Sequence, residues 1–434
     1  MKHLGKLAIT SSLILLSSTL SAATVYSTAC INCQKERPKK YTEPSPIKQT
    51  PVSTKKSLPQ NTPSVILSSD LGTIQMFSPD DLLDQQPSLN EDLILLQQRQ
   101  HYSFSKPVLE LSGALEANLM YNEQATHNQN LTLGTAEFDA QFIPSDWVAG
   151  LASIGYDSDP TGDSNSAAKS TLNLNRGFIT LGNLDKFPLY FTMGKMYVPF
   201  GQYSSAMVTD PSITSMGRIL TPTAVLGAYF KGLNMAAFAY SGNKSDNSKF
   251  VNQWGGRIGF DMTKDDFNVA VNASYVSNLG DAAGMQEAGF NQTPQTKDVA
   301  AADGAIKLGY KFVDFTAEYL TAVESFSNHM TFKGKAARPS AVQGELNFSW
   351  EMLNRPFSFG AFYNHTWQAL SLNLPKDTFG AVFSTSLFKH TKQAIEYRRD
   401  IQYKATATAP GSTDPITQHG SASNTISLMV GAYF

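Results

Sequence analysis

Asn424 to Phe434 reads N-T-I-S-L-M-V-G-A-Y-F. Ile426, Leu428, Val430, Ala432 and Phe434 share one face and Thr425, Ser427, Met429, Gly431 and Tyr433 the other, because side chains alternate across an extended chain. A continuous apolar face backed by a mostly small and polar one is the period-two pattern of a strand in a transmembrane barrel wall. A soluble edge strand shares that alternation, so the rest of the chain has to decide.

The amino end sets the compartment. Lys2 and Lys6 precede an apolar run within Leu7 to Leu20, and Ser21, Ala22 and Ala23 follow, the layout of a cleavable secretory signal over residues 1–23. Nothing after it approaches the eighteen or so apolar residues of a membrane helix, so an exported chain that spans a membrane must do so as a closed barrel. Charge is near balance, 34 basic against 36 acidic residues, which gives no electrostatic basis for a nucleic-acid partner. Residues 24–78 are rich in Pro, Lys, Ser and Thr and read as a periplasmic tether with little to bury. In residues 79–105, Ser88-Leu89-Asn90-Glu91 is a capping box that opens Leu93 to Leu96, so one short helix is expected before the barrel.

Residues 106–434 parse into sixteen strands, and their connections alternate between short and long. Tight turns are expected at Pro144-Ser145, Asn183 to Phe187, Lys231-Gly232, Lys264 to Asp266, Val313, Leu353 to Arg355 and Lys389 to Thr391. Between them fall long connections rich in Gly, Ser, Asn, Asp and Pro, such as Asn278 to Ala301. That asymmetry predicts an all-β, antiparallel outer-membrane barrel with short periplasmic turns and longer external loops, and a Phe at the end of the last strand looks like the signal of bacterial outer-membrane barrels. Aromatic pairs beside the short turns, Phe142 and Trp147, Phe260 and Phe267, Phe312 and Phe315, Trp350 and Phe357, predict an interfacial girdle. Leu172 to Leu181 and Leu233 to Tyr240 lack a clean polar face, and Arg399 falls on the apolar side of its strand. Bulges or register changes are expected at these three places.

The opposite face defines a lumen. Glu110, Glu116, Glu137, Asp139, Asp261, Glu318, Glu345, Glu396 and Asp400 fall inward against Arg176, Lys195, Arg257, Lys307, Lys311 and Arg398. Inward charges need water or partner charges, which implies either a hydrated pore or a lattice of wall-to-wall ion pairs. Glu396-Tyr397-Arg398-Arg399-Asp400 is the densest cluster. The connection Phe200 to Thr223 carries Asp210 and Arg218 as its only charges, and its Met207, Val208, Ile213, Met216, Ile219 and Leu220 would be wasted in water. It is expected to fold into the barrel and narrow the bore; a lid over the mouth or a subunit contact is the other reading.

Cys30 and Cys33 leave a local disulfide or a weak metal site open in an oxidising periplasm. The seven histidines are scattered, with His365 on the lipid-side register, and no G-x-S-x-G, H-E-x-x-H or phosphate loop occurs in the mature chain. No enzyme and no cofactor is therefore expected; a barrel lipase or protease would need residues converging from separate strands.

Arg176 to Leu184 (R-G-F-I-T-L-G-N-L), Gly194 to Tyr203 (G-K-M-Y-V-P-F-G-Q-Y), Thr209 to Thr214 (T-D-P-S-I-T) and Gln86 to Gln100 together resemble the LbtU-type siderophore porins. The resemblance covers about residues 80 to 434 and implies a sixteen-stranded barrel that takes up iron-siderophore complexes; it carries over no ligand-binding residues. Gly194 to Gly201 also resembles O/P-type phosphate porins, whose path relies on excess basic residues, whereas acidic ones prevail here. Classical gated siderophore receptors have twenty-two strands and a folded plug. The expectation is therefore a plug-free outer-membrane porin, in contact with outer-membrane lipid and a small solute and compatible with a homotrimer. The alternatives are a sealed barrel serving as adhesin or anchor, and a general or phosphate-type porin.

Overall fold

The computed structural model describes residues 64–67, 107–123, 129–157, 171–184, 186–242, 251–264, 266–290, 297–326, 330–404, 407, 409 and 420–434. The expected signal, the helix near Ser88 and Cys30 and Cys33 lie outside the described residues. Sixteen strands form the wall. In the first half these are β1 Val108–Asn122, β2 Gln129–Ser145, β3 Val148–Asp157, β4 Thr171–Gly182, β5 Leu189–Tyr197, β6 Leu220–Phe230, β7 Leu233–Tyr240 and β8 Gln253–Lys264. The second half comprises β9 Phe267–Val276, β10 Ala301–Tyr310, β11 Val313–Ala322, β12 Ser340–Met352, β13 Arg355–Trp367, β14 Asp377–Thr385, β15 Thr391–Ile401 and β16 Ala422–Tyr433.

Each strand pairs antiparallel with the next, and β16 returns to β1 through Thr425↔Asn122 to Tyr433↔Ala114. The wall has no free edge there, which is what a sheet in hydrocarbon requires. At the seam, Phe434 and Gly113 exchange two backbone hydrogen bonds of 3.1 Å. The Phe434 ring lies over Gly113, where an added Cβ would come within 2.4 Å of it. One short strand falls in the segment read as tether: Ser64–Leu67 pairs in parallel with the start of β1.

Leu115, Leu119, Phe138, Ile154, Met193, Leu226, Ile258, Leu346, Ile395 and Leu428 are exposed on the outer wall, where lipid replaces water as their solvent. The girdle residues are exposed as well, apart from the half-buried Phe357, on which Trp350 stacks with ring centroids 6.0 Å apart. Two-residue turns use left-handed backbone, as at Lys231 (φ 50) with Gly232 (φ 87) and at Leu353 (φ 54) with Asn354 (φ 57). Two turns are displaced from the expected positions. Asp146-Trp147 replaces Pro144-Ser145 after a register shift between Phe142 and Ser145. Lys311-Phe312 replaces Val313, which begins β11.

Of the three irregularities expected, only the first is a bulge: β4 shifts register against β3 between Ser153 and Ile154. β7 pairs in unbroken register on both sides, as does β15. β7 lacks a polar face because its inward Ala236, Phe238 and Tyr240 join an apolar core inside the barrel. Arg399 points outward and donates to Asn424 Oδ1 at 3.3 Å. His365 is on the outer register too, 2.6 Å from Asp377.

Candidate solute pathway in the barrel lumen

The connection between β5 and β6 turns into the barrel, driven by its own composition. Val198, Phe200, Tyr203, Ile213, Met216 and Ile219 are buried and pack on the inward Phe178, Tyr190, Val225, Phe238 and Leu320. Its return limb forms a short helix, α1 (Ser212–Gly217). A loop laid on an apolar surface must still satisfy its backbone N–H groups. Three inward carboxylates do this in sequence.

Glu318 on β11 accepts from the backbone N–H groups of Gln202 (2.6 Å) and Tyr203 (2.7 Å). Glu345 on β12 accepts from Ala206 N–H (2.8 Å) and Ser205 Oγ (2.7 Å). Glu396 on β15 accepts from Val208 N–H (2.6 Å), Thr209 N–H (3.3 Å) and Thr209 Oγ1 (2.6 Å). Neutral and cationic groups complete the run. Ser274 Oγ accepts from Gly201 N–H (3.0 Å), Arg257 donates to Gly201 O (3.3 Å) and Gln202 Oε1 (3.4 Å), and Gln343 donates to Ser204 O (3.1 Å). The loop is thus strapped along the inner wall from β8 to β15, mostly by charge-assisted bonds of the stronger kind.

The connection between β9 and β10 packs on top of this loop. It forms short helical turns at Leu279–Asp281, Ala283–Met285 and Gln286–Phe290. Ala283 N–H donates to Arg218 O at 3.0 Å, and Leu279, Ala282 and Met285 are fully buried against the strapped loop. Phe326, Met330, Ala337 and Ala369, from the next two external connections, extend the same core. Above β5 to β12 the external half of the lumen is therefore filled by apolar loop packing.

The remaining expected pore residues distribute as follows. Glu116 accepts from Thr135 Oγ1 and Tyr433 OH, each at 2.7 Å. Arg176 lies 2.5 Å from Glu137 and 3.7 Å from Asp139, and Ser153 Oγ also donates to Glu137. Arg398 pairs with Asp400 at 2.9 Å and donates to Thr209 Oγ1 at 3.2 Å. On the loop, Arg218 lies 3.8 Å from Asp210 and stacks on Tyr197, while Met207 is buried with its sulfur 3.7 Å from Asn364. Asp261 accepts from Tyr229 and Asn234, both at 3.1 Å. The side chain of Glu110 lies outside the described residues.

Two placements are corrected. Lys195 shares the outward register of Leu189, Phe191 and Met193 and donates to Leu174 O at 2.9 Å. In this sector the inward face is itself apolar, so polarity does not mark the lumen side. Lys311 is exposed in the turn at φ 55 rather than on a strand wall. Polar groups not singled out as pore candidates also take part: Ser274, Asn272 and Gln343, on the polar side of their strands' alternation, hold the loop, with Gln202 of the loop itself, and Asp303 is buried within interaction range of Glu318 and Arg257. Only strand register brings them together.

Beneath the strapped loop lies a cavity of about 800 Å³. Ser204 and Ser205 of the loop, Lys307, Asp314, Thr316, Glu345, Asn347, Ser349, Ser384 and Lys392 line it. It opens toward the short-turn end, since Ser386, His390 and Tyr433 are also in its wall. Such a chamber can pass or hold a hydrated solute; among the described residues, no group of three or more His, Cys, Asp and Glu gathers to bind a metal ion.

No family model matches the chain. A UPF0422 protein of Legionella pneumophila (strain Philadelphia 1) is 34% identical over 406 residues, covering 85% of this chain and 76% of that one. A UPF0422 protein of Coxiella burnetii (strain RSA 493) is 32% identical over 425 residues, 92% of this chain and 89% of that one. Among solved structures, the outer membrane channel DcaP of Acinetobacter baumannii is similar with a TM-score of 0.50 at 14% identity, over 76% of this chain and 99% of that one. An anion-selective porin from Comamonas acidovorans is similar at 0.50 and 9%, over 76% and 100%. At those identities the likeness is one of fold, a porin barrel of the bacterial outer membrane.

Proposed function

The chain belongs to the UPF0422 family, and from that premise we propose that it is an outer-membrane porin through which small solutes, iron-siderophore complexes among them, diffuse inward without a plug domain. The observation that carries this reading is the loop strapped inside a closed barrel by Glu318, Glu345 and Glu396, above a polar chamber of about 800 Å³. A loop held to the wall narrows a bore and fixes its chemistry. The siderophore assignment rests on the resemblance of Arg176 to Leu184, Gly194 to Tyr203 and Thr209 to Thr214 to the LbtU-type porins. Acidic residues outnumber basic ones along the lumen, which argues against a phosphate path. A homotrimer is the proposed assembly; Ala140, Gly150, Ala152 and Gly177, set between Phe142, Ile179 and Met193, form a shallow outer groove in which a neighbouring subunit would seat.

The apolar packing of four external connections favours one other reading, a sealed barrel acting as an anchor or adhesin. Single-channel recording of the refolded protein in a planar bilayer separates the two. Steady ohmic steps that one iron-loaded siderophore blocks at low concentration support the porin and identify its ligand; folded protein without conductance leaves the anchor.

A further inference from the structure

The loop packing leaves the two sides of the lumen unlike. From β4 to β12 many inward side chains join the apolar core, among them Phe178, Tyr190, Phe238, Val276, Leu320 and Ala341, while Lys307, Thr316, Glu345 and Asn347 face the chamber beneath the loop. On β14 to β16, Val382, Ala394 and Met429 are buried together, with Ala206 and Val208 of the strapped loop against them. β1 and β2 differ. Their inward Glu116, Asn118, Thr132, Thr135, Glu137 and Asp139 all keep partial exposure.

Charge on the two walls differs as well. Among the described residues, Glu318, Glu345 and Glu396 of the far wall are buried against the loop, and Arg218 lies beside Asp210 and Arg398 beside Asp400. Among the described residues, β1, β2 and β4 carry inward the carboxylates Glu116, Glu137 and Asp139 and one guanidinium, Arg176, which bridges the latter two. The accessible wall is therefore acidic by two charges, in a passage confined by low-dielectric walls that concentrate the field.

We propose that the solute route runs off-axis, between the strapped loop and the β1–β2 wall, and that Glu116, Glu137 and Asp139 make it prefer cations and solutes bearing positive charge. This rests on the porin reading and adds the route and the charge class. Loop packing fills the external half of the other side, so the way along β1 and β2 leads past it to the chamber beneath the loop, and the carboxylate excess sets the sign.

The test is the reversal potential of refolded protein in a bilayer under a potassium chloride gradient at low ionic strength, where screening is weak. Cations are expected to permeate at least about threefold more readily than anions. Glu116→Gln and Asp139→Asn should each reduce that ratio, and Arg176→Gln should raise it. Route is tested separately in a Cys30→Ser, Cys33→Ser background with a cationic methanethiosulfonate reagent: Thr132→Cys should be blocked and Ala236→Cys should not. Conductance with no cation preference, with unchanged reversal potentials in the carboxylate variants, or with block at Ala236→Cys alone overturns this inference. No conductance from folded protein overturns the porin reading instead.

Discussion

Glu396→Gln is the sharpest probe of the strapped loop, because the substitution keeps shape and volume and removes only charge and one acceptor. Glu396 is fully buried and receives three donors, two of them at 2.6 Å and one at 3.3 Å. Hydrogen bonds to a charged group contribute about 1.5–3 kcal/mol each, and neutral ones about 0.5–1.5 kcal/mol. With Gln, the amide oxygen can keep one short bond in neutral form, while the new NH2 group opposes the donors it meets. The local loss is about 2–4 kcal/mol, which is about a 30- to 700-fold rise in opening of the loop tip at tenfold per 1.4 kcal/mol. Opening stays local, since Glu318 and Glu345 still hold Gln202, Tyr203 and Ala206. Amide hydrogen exchange reads this directly: Val208 and Thr209 should lose protection by that factor while Gln202 and Tyr203 keep theirs. Unchanged exchange at Val208 and Thr209 in a folded variant would refute the strap, as would uniform loss along the whole loop.

Other outcomes follow from packing. At Gly194 (φ 151) a Cβ would lie 2.2 Å from the carbonyl oxygen of Gly177, and backbone cannot yield as a side chain can, so Gly194→Ala should sharply lower the folded yield seen as heat-modifiable mobility on gels. Gly113→Val would press on the Phe434 ring at the seam; overpacking of this kind costs about 1–3 kcal/mol, and the expected readout is a lower midpoint in urea with an unchanged slope. Arg399→Leu exchanges a lipid-register guanidinium near the outer rim, where such charges cost about 0–1 kcal/mol, so unfolding should shift by no more than about 1 kcal/mol in either direction.

The barrel wall was legible because two independent signals coincide in it. Period-two alternation located the strands, and the alternation of short with long connections supplied their sense; even the outward His365 was placed from parity alone, whereas the same parity at Arg399 suggested a bulge that its strand does not have. The strapped loop was legible in part, since Ile213, Met216 and Ile219 had no reason to be apolar in water. Its fastening was not. Glu318, Glu345 and Glu396 lie on three strands far apart in sequence, and nothing local says that their partners are backbone N–H groups rather than arginines or solute. The same limit hid the β9–β10 connection, whose Leu279, Met285 and Val299 are too dispersed to predict a packed element without the loop they cover. Lys195 was misplaced for a related reason: where loops fill the barrel, apolar residues face both ways and polarity no longer distinguishes the sides. Register and loop burial are tertiary facts, so a local reading misses them together.

The carboxylates of the wall hold the loop chiefly through main-chain N–H groups: Gln202, Tyr203, Ala206, Val208 and Thr209 each present one. Every residue type except proline carries that donor. Holding the loop and choosing what passes it are thus tasks assigned to different atoms of the same residues. Apart from the hydroxyls of Ser205 and Thr209, which Glu345 and Glu396 also hold, side chains between Ser204 and Asp210 can change with the main-chain bonds left in place, so the cargo can change by point substitution while the barrel, its register and its three glutamates stay as they are. Across relatives, this arrangement implies diversity at the tip of the loop together with constancy at Glu318, Glu345 and Glu396, and an engineer seeking a different solute would leave those three alone.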